Sequence, residues 1–194
     1  MLSYEESLKI LKETKALLDG HFILSSGLHS AQYVQCAQLL SKPHLSNNIC
    51  NSLAEKISKE LKEIDLILSP AMGGVVIGYE IGRLLLKETI FSERVDGQFK
   101  LRRDFKITKK SKVLIVEDVI TTGKSGIECS KLVEIADAEV VGFACLIDRS
   151  NGNSIINKKI ISQIEINIPT YKENNLPKNL ISLPAIKPGS RTLK

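Results

Sequence analysis

Apolar residues along this chain follow two patterns, one with the spacing of amphipathic helices and one of short continuous runs. Helical spacing predicts a first helix from Tyr4 to Leu18 that stops at Asp19-Gly20, and a second helix that begins at Pro43. Between them, residues 22–24 and 33–35 are typical of short strands that flank a turn of small polar side chains. The chain is therefore expected to begin with a helix and a small pair of strands.

The rest of the chain alternates apolar strands with helices. The strands are predicted at residues 66–68, around Ile90, at 113–116 and at 140–147, and the helices at about 75–86 and 129–136. Residues 117–125 are expected to form a loop, and the chain beyond 147 to be less regular. Strands that are apolar throughout and alternate with helices indicate a doubly wound α/β fold, with a mostly parallel sheet covered on both faces. Such sheets bind ligands at the carboxyl ends of their strands.

Composition narrows the class of protein. With 194 residues, 43% hydrophobic and 25% charged, the chain is expected to form one domain with a single core. Its longest apolar runs fall short of the roughly 20 residues that a bilayer span needs, and its first residues do not resemble a secretory signal. We therefore expect a cytoplasmic protein without a membrane segment. Four scattered cysteines with apolar neighbours favour reduced core residues over metal ligands.

The formal charge of +5 is unevenly distributed. Residues 91–112 contain eight bases against three acids, and residues 151–194 contain seven against two. Five Phe, four Tyr and no Trp supply few rings for stacking on bases, so nucleic acid is disfavoured as a partner. A small polyanionic ligand fits the two basic segments at least as well.

The strongest chemical signal follows the strand at 113–116. Two adjacent carboxylates, Glu117 and Asp118, lead into a turn of hydroxyls and glycine that opens a helix. The N–H groups and dipole of a helix N-terminus attract phosphate, and Gly123 lets the backbone approach it closely. Carboxylates just before such a turn can accept hydrogen bonds from sugar hydroxyls, so the motif indicates a phosphorylated ribose. A plain helix cap preceded by solvent-facing acids is the alternative.

Two common phosphate loops do not fit this segment. A Walker A loop needs a glycine five residues before Gly123, where the chain has Asp118. A dinucleotide-binding loop needs Gly-x-Gly, which neither Gly73-Gly74 nor Gly123 supplies. An ATPase and a dehydrogenase are therefore disfavoured.

Residues 115–125, I-V-E-D-V-I-T-T-G-K-S, resemble the phosphoribosyl diphosphate (PRPP) motif of the type I phosphoribosyltransferases. Residues 20–27 resemble the N-terminal segment of the orotate-using members, and residues 69–74 resemble their diphosphate loop. Residues 93–103 are similar to the mobile loop of one branch, and residues 187–191 to the C-terminus of the same branch. The PRPP motif alone identifies the superfamily, and its combination with the N-terminal segment points to orotate.

The resemblance implies a role for each motif. Glu117 and Asp118 would bind the ribose hydroxyls of PRPP, and the following loop its 5-phosphate. The implied PRPP-binding set is Glu117, Asp118, Val119, Ile120, Thr121, Thr122, Gly123, Lys124 and Ser125, and the implied diphosphate loop is Ala71, Met72, Gly73 and Gly74. Thr121 and Arg149 would bind orotate. Tyr33 is expected to be a wall of the base pocket or, equally, a packed aromatic of its strand.

The resemblance also implies a mobile loop with four cations that closes over the diphosphate: Arg94, Lys100, Arg102 and Arg103. Lys100 and Arg94 are the leading catalytic candidates beside Asp118. Mg²⁺ would enter mainly through the substrate's diphosphate, and sharing of the loop across an interface implies a homodimer. A hood subdomain from about 1–40 and 165–194 would cover a core from about 43 to 160, within one domain of residues 1–194.

The implied reaction is displacement of diphosphate from C1 of PRPP by N1 of orotate, which gives orotidine 5-phosphate in pyrimidine biosynthesis. Two alternatives stay open. One keeps PRPP but uses a purine or uracil as the base, and the other is a PRPP-sensing regulator that binds nucleic acid through its basic tail. His21 and His29 flank the N-terminal turn and are interpreted as loop-shaping rather than catalytic residues.

Overall fold

The computed structural model describes residues 1–24 and 26–188. Its elements are α1 (Tyr4–Glu13), β1 (Leu17–Ile23), β2 (His29–Val34), α2 (Ala37–Leu40), α3 (Pro43–Glu60), β3 (Leu66–Pro70), α4 (Gly73–Leu85), β4 (Glu88–Val95), β5 (Gln98–Leu101), β6 (Lys112–Ile120), α5 (Lys124–Ile135), β7 (Glu139–Asp148), β8 (Ile160–Glu165), β9 (Thr170–Tyr171), a 3₁₀ turn (Glu173–Asn175) and α6 (Lys178–Ile181). None of these described helices combines the length and apolarity that a membrane span requires. Residue 25 and the 189–191 part of the C-terminal resemblance lie outside the described residues.

A six-stranded sheet forms the centre of the fold, in the order β5-β4-β3-β6-β7-β8. Its strands pair in parallel except for the edge strand β5, which is antiparallel to β4. Leu114 and Val116 of β6 belong to a core that includes α3 and α4, whereas Val113 and Ile115 belong to a second core with α5. Both faces of the sheet are thus buried, which explains the continuous apolar strands. The predicted α/β fold is confirmed.

A second, three-stranded sheet joins the two ends of the chain. Its order is β1-β2-β9, and both of its pairings are antiparallel. Ile186 adds a bridge to Phe22, and the ring nitrogens of His21 contact the Leu183 carbonyl at 3.0 Å and the His29 ring at 2.7 Å. Both histidines are buried and tie the N-terminal strands to the C-terminal segment. These contacts support the loop-shaping interpretation of the two histidines.

The first helix is shorter than predicted. α1 ends at Glu13, whereas helical spacing predicted that it would continue to Leu18. Lys15 has a φ of 61°, in the left-handed region, and this conformation ends the helical path. Leu18 and the Asp19-Gly20 pair lie in β1 because β2 supplies them with backbone partners. Strand pairing with a distant segment therefore overrides the local helical pattern.

The segment 117–125 is less loop-like than predicted. β6 continues to Ile120, because β7 pairs with it as far as Ile120 opposite Asp148. Glu117 and Asp118 therefore lie in the strand, and the loop begins at Thr121. A strand holds its side chains more rigidly than a loop, so the carboxylates have fixed directions.

Two further strands differ from the sequence-based expectation. β8 pairs in parallel with β7 in a region beyond residue 147 where no strand was predicted. The sequence pattern missed this strand because Ser162 and Gln163 interrupt its apolar run. The charged stretch after Ile90 is a β4–β5 hairpin that turns at Asp96 and Gly97. The predicted mobile loop is therefore a paired ribbon at the edge of the sheet.

Candidate functional site

Three loops meet at the carboxyl edge of the central sheet, because β3, β6 and β7 run parallel to one another. They are residues 71–72 after β3, residues 121–123 after β6, and the segment that begins at Arg149 after β7. The Arg149 N–H donates to the Ile120 carbonyl at 2.8 Å, and the Ile155 N–H donates to the Thr122 carbonyl at 2.9 Å. Thr121 and Arg149, both expected to bind orotate, are thus brought next to each other.

The N-terminus of α5 has the shape of a phosphate site. Gly123 is its N-cap residue, with a φ of 80° that a side chain would strain. A Cβ at this position would lie 2.5 Å from Ser154 Oγ and 2.7 Å from Ile156 Cγ1, so the turn is closely packed from behind. The first N–H groups of a helix lack intrahelical acceptors, and the helix dipole adds positive potential there. Thr121, Thr122 and Lys124 are exposed around this turn, and Ser125 is half-buried.

Glu117 is a buried acid at the centre of the site. Burial, followed by the neighbouring charge of Asp118, raises the pKa of Glu117 to about 7, while the Gly126 N–H lowers it slightly. Even so, its Oε1 atom has no hydrogen-bond partner of good geometry among the residues that the structure describes. Burial also raises the pKa of Asp118, against the effect of backbone N–H groups at positions 118 and 119. The pair therefore contains one acceptor oxygen, Glu117 Oε1, that the described part of the protein leaves unsatisfied.

The loop after β3 lies directly against these carboxylates. A Cβ on Gly73 would come within 2.7 Å of Asp118 Oδ1 and 2.8 Å of Oδ2. Gly74 is also tightly packed, because its Cβ would lie 3.0 Å from the Val116 carbonyl. Ala71 is half-buried, and Met72 points outward with 83% of its surface exposed. The two predicted loops therefore form one site, and glycine is required where they touch.

Arg149 and Tyr33 come together from different sheets. Burial lowers the pKa of the Arg149 guanidinium, and nearby Tyr33 partly opposes this effect. Nε of Arg149 is buried and lacks an acceptor within the described ranges. Tyr33 lies on β2 and packs against Phe22, with 5.7 Å between ring centroids. An unsatisfied buried donor of this kind suits an anionic ligand that lies between the three-stranded sheet and the central sheet.

The four predicted mobile-loop cations lie on the β4–β5 hairpin or just after it. Arg94 donates to Glu128 of α5 at 2.6 Å. Lys100 lies 3.9 Å from Asp96, and Arg102 and Arg103 contact Glu93 at 3.5 Å and 3.0 Å. In the described part of the chain these cations pair with acids of the hairpin or of α5 rather than with Glu117 or Asp118. The structure thus groups the cations together but does not place them on the carboxylate pair.

Sequence reasoning missed two features of this site, the wall behind Gly123 and the acid that pairs with Arg94. Ser154 and Ile156 form the wall behind Gly123, and no local motif marks them because they lie about thirty residues further on. Glu128 receives Arg94, and its spacing of four residues from Lys124 on α5 was an available signal. Both are recognised from contacts rather than from residue type.

A glycine-capped helix N-terminus beside two strand-end carboxylates is an arrangement suited to a phosphorylated sugar in an α/β protein. Residues 37–178 match the family model for the phosphoribosyl transferase domain. The chain therefore belongs to the phosphoribosyltransferase family, and its architecture is the type I fold of that family.

Similar proteins cover nearly the whole chain. It is 47% identical over 191 residues to the orotate phosphoribosyltransferase of Parvibaculum lavamentivorans, covering 98% of each protein. It is 48% identical over 191 residues to the orotate phosphoribosyltransferase of Sphingopyxis alaskensis, covering 97% of each. The crystal structure of orotate phosphoribosyltransferase from Aeropyrum pernix superposes with a TM-score of 0.71 at 23% identity, covering 81% of this chain and 92% of that one. That structural likeness concerns the fold.

Proposed function

We propose that this protein is an orotate phosphoribosyltransferase, which transfers the 5-phosphoribosyl group of PRPP to orotate and releases diphosphate in UMP biosynthesis. The observation that carries this proposal is the 47–48% identity, over 97–98% of both chains, to proteins named for that activity. A purine or uracil enzyme would share the fold, but these nearly full-length relatives favour orotate.

PRPP fits the carboxyl edge of the sheet as follows. The N–H groups at the start of α5, with the hydroxyls of Thr121, Thr122 and Ser125, bind the 5-phosphate. Glu117 and Asp118 accept hydrogen bonds from the ribose hydroxyls, which supplies a partner for the unsatisfied Oε1 atom of Glu117. The diphosphate extends toward Gly73, where the absence of a side chain leaves room beside Asp118.

Orotate fits between Arg149 and Tyr33. The planar guanidinium offers a fork of donors to the orotate carboxylate, and its buried Nε lacks another acceptor in the described residues. Tyr33 supplies a flat apolar wall, and Thr121 lies beside Arg149 at the end of the neighbouring strand. We expect the base held in this way to present N1 to C1 of the ribose.

The chemical step breaks the bond from C1 to the diphosphate oxygen and forms the bond from C1 to N1 of orotate. Orotate enters with N1 deprotonated, the proton having passed to solvent, and diphosphate leaves with the bonding electron pair. The protein holds the two reactants in line, and cations of the hairpin stabilise the departing charge. Lys100 and Arg94 are the groups proposed for that task. Exclusion of water protects the activated ribose from hydrolysis.

Mg²⁺ is the proposed cofactor. The described residues contain no group of three or more side chains arranged to hold a metal ion. The site does offer carboxylate oxygens at Glu117 and Asp118, and hard cations prefer oxygen ligands. This donor set fits an ion held mainly by the oxygens of the substrate. When bound, Mg²⁺ neutralises diphosphate charge.

We further propose that the protein is a cytoplasmic homodimer whose single domain carries the β1-β2-β9 sheet as a hood. An apolar stripe on α4 supports the dimer: Met72, Val76 and Tyr79 lie on one helical face and are 83%, 51% and 67% exposed. Such a stripe beside a functional loop is typical of a protein interface. A second copy bound there would lie next to the diphosphate loop, because Met72 belongs to both the stripe and the loop.

The direct test is to mix the protein with PRPP, Mg²⁺ and orotate and to follow the loss of orotate absorbance. We expect turnover with orotate and none with adenine, hypoxanthine or uracil under the same conditions. The absence of orotate turnover would contradict the proposal, and turnover with another base alone would reassign the substrate.

A further inference from the structure

Glu128 lies between two cations that belong to different parts of the site. It is the fifth residue of α5, one turn after Lys124. One carboxylate oxygen lies 2.6 Å from a terminal nitrogen of Arg94 on the hairpin, and the other lies 3.9 Å from Lys124 Nζ. Its side chain is 23% exposed, so solvent screens these contacts less than those of a fully exposed pair. Glu128 therefore links the hairpin to the helix that begins at the phosphate loop.

Arg94 is held in one orientation by three contacts. Its guanidinium donates to Glu128 and to the Gly97 carbonyl, and its Cζ atom lies 4.1 Å from the ring centroid of Phe99. The ring of Phe99 is buried, so the stacking partner is itself fixed. Guanidinium groups have five N–H donors, and the contacts to Glu128 and Gly97 use two of them. The remaining donors stay available for an anion.

The base of the hairpin is attached to α5 independently of this ion pair. Ser92 Oγ of β4 lies 3.2 Å from Cys129 Sγ of α5, and both residues are buried. Removal of the Glu128 carboxylate should therefore leave the hairpin attached and the fold intact. Its effect should be confined to the direction and order of the Arg94 side chain.

We propose that Glu128 is a positioning residue that holds Arg94 at a fixed distance from the phosphate-binding turn of α5. This inference rests on the proposed function. In that proposal the α5 turn binds the 5-phosphate of PRPP and Arg94 meets the diphosphate at the other end of the same molecule. Because Arg94 is already fixed before the substrate arrives, its side chain loses no further conformational entropy when it meets the diphosphate. Glu128 thus acts through Arg94 and does not touch the substrate.

The first experiment compares Glu128→Ala with Glu134→Ala. Glu134 is an exposed residue of the same helix, and its carboxylate makes no ion pair within the described ranges. We expect Glu128→Ala to lower kcat about tenfold with less than a twofold change in KM for orotate, and Glu134→Ala to change neither. Equal thermal midpoints for the two variants would show that the effect is not a loss of folding. Unchanged kcat in Glu128→Ala would overturn the proposal.

A double-mutant cycle tests whether Glu128 acts through Arg94. We expect the Arg94→Ala, Glu128→Ala double variant to have the same kcat as Arg94→Ala alone, because the positioned group is already gone. Multiplied effects would overturn the proposal. A second cycle combines Glu128→Ala with Lys124→Met, and there we expect the two effects on kcat to multiply. If Glu128→Ala has no effect in the Lys124→Met background, Glu128 acts through Lys124 instead of Arg94.

Calorimetric binding of inorganic diphosphate with Mg²⁺ separates this proposal from the proposed function. Glu128→Ala and Arg94→Ala should each weaken diphosphate binding, with no further loss in the double variant. That pattern supports the positioning role even if the wild-type protein does not use orotate. If the wild-type protein uses orotate but the two substitutions weaken diphosphate binding independently, the proposed function stands and the positioning role is overturned.

Discussion

At the residue scale, the site places unsatisfied polar atoms where a ligand would satisfy them. Glu117 Oε1 and Arg149 Nε are buried and unpartnered among the described residues. Burying such groups costs free energy unless a partner is supplied. An anionic base and a sugar with free hydroxyls would supply those partners. The same residues that destabilise the ligand-free protein are therefore those that we expect to bind the substrates.

Glu117 allows a test of whether a residue that binds substrate also lowers the stability of the ligand-free protein. Its pKa is raised to about 7 in the folded protein from 4.5, so the folded state binds the proton more tightly than the unfolded state. Its favourable contribution to stability is fully present below pH 4.5 and is lost as the pH rises through about 7. We expect Glu117→Gln to raise the free energy of unfolding at pH 8 by about 1 to 3 kcal/mol.

The same substitution should remove most of the activity, because an amide offers one acceptor oxygen in place of two. Thermal unfolding at pH 5 and pH 8 measures the stability change, which should be much smaller at pH 5. An equal change at both pH values would contradict the assignment of a buried, titrating carboxyl. The PRPP-dependent kcat/KM of the wild type should rise between pH 6 and pH 8 as Glu117 ionises.

At the element scale, the β4–β5 hairpin stands out because it carries cations at the edge of the central sheet. β5 is an edge strand paired on one side to β4, and the turn between them carries the 90% exposed Asp96. Three of its cations, Lys100, Arg102 and Arg103, form exposed ion pairs, each of which contributes little to stability. A polyanionic ligand can therefore draw these cations away from their acids at small energetic cost.

Lys100 tests the hairpin's role. Its side chain is 49% exposed and its ion pair to Asp96 is long, at 3.9 Å, so it contributes little to folding. We expect Lys100→Ala to lower kcat by about 10- to 100-fold while the thermal midpoint stays within about 1 °C. Lys106→Ala, an exposed lysine of the same basic segment, serves as the control. Steady-state kinetics that show equal rates for both variants would remove Lys100 from the reaction.

At the scale of the whole molecule, the site is assembled from both ends of the chain. The three-stranded sheet brings Tyr33 to Arg149, and its strands are tied to the C-terminal segment through His21 and Ile186. The central sheet provides the rigid edge on which the phosphate and diphosphate loops meet. We therefore expect base recognition between the two sheets and ribose recognition within one of them.

The α4 stripe gives a prediction at this scale. We expect Tyr79→Asp to convert the homodimer to a monomer in sedimentation velocity and to reduce activity at least tenfold, because a buried charge in an apolar interface is costly. Ile135→Asp places the same charge at an 82% exposed apolar position on α5 and should leave the dimer intact. A monomeric wild-type protein with full activity would refute both the interface and the need for a second subunit.

The sequence by itself determined the central motif and the layered fold. A buried strand that ends in two acids and a glycine turn needs only nearby residues, so residues 113–125 and the α/β alternation were predictable. Local spacing misplaced the end of α1, and interrupted patterns hid β8, since both depend on distant strand partners.

Only the tertiary structure decided which residues meet. The contact of Gly73 with Asp118, the approach of Tyr33 to Arg149 and the ion pair of Arg94 with Glu128 join segments far apart in the chain. No local pattern encodes these contacts. They follow from the parallel alignment of the central strands and from the packing of the three-stranded sheet and the β4–β5 hairpin against the core. Residue type thus predicts the chemistry available to the protein, and packing determines where that chemistry is concentrated.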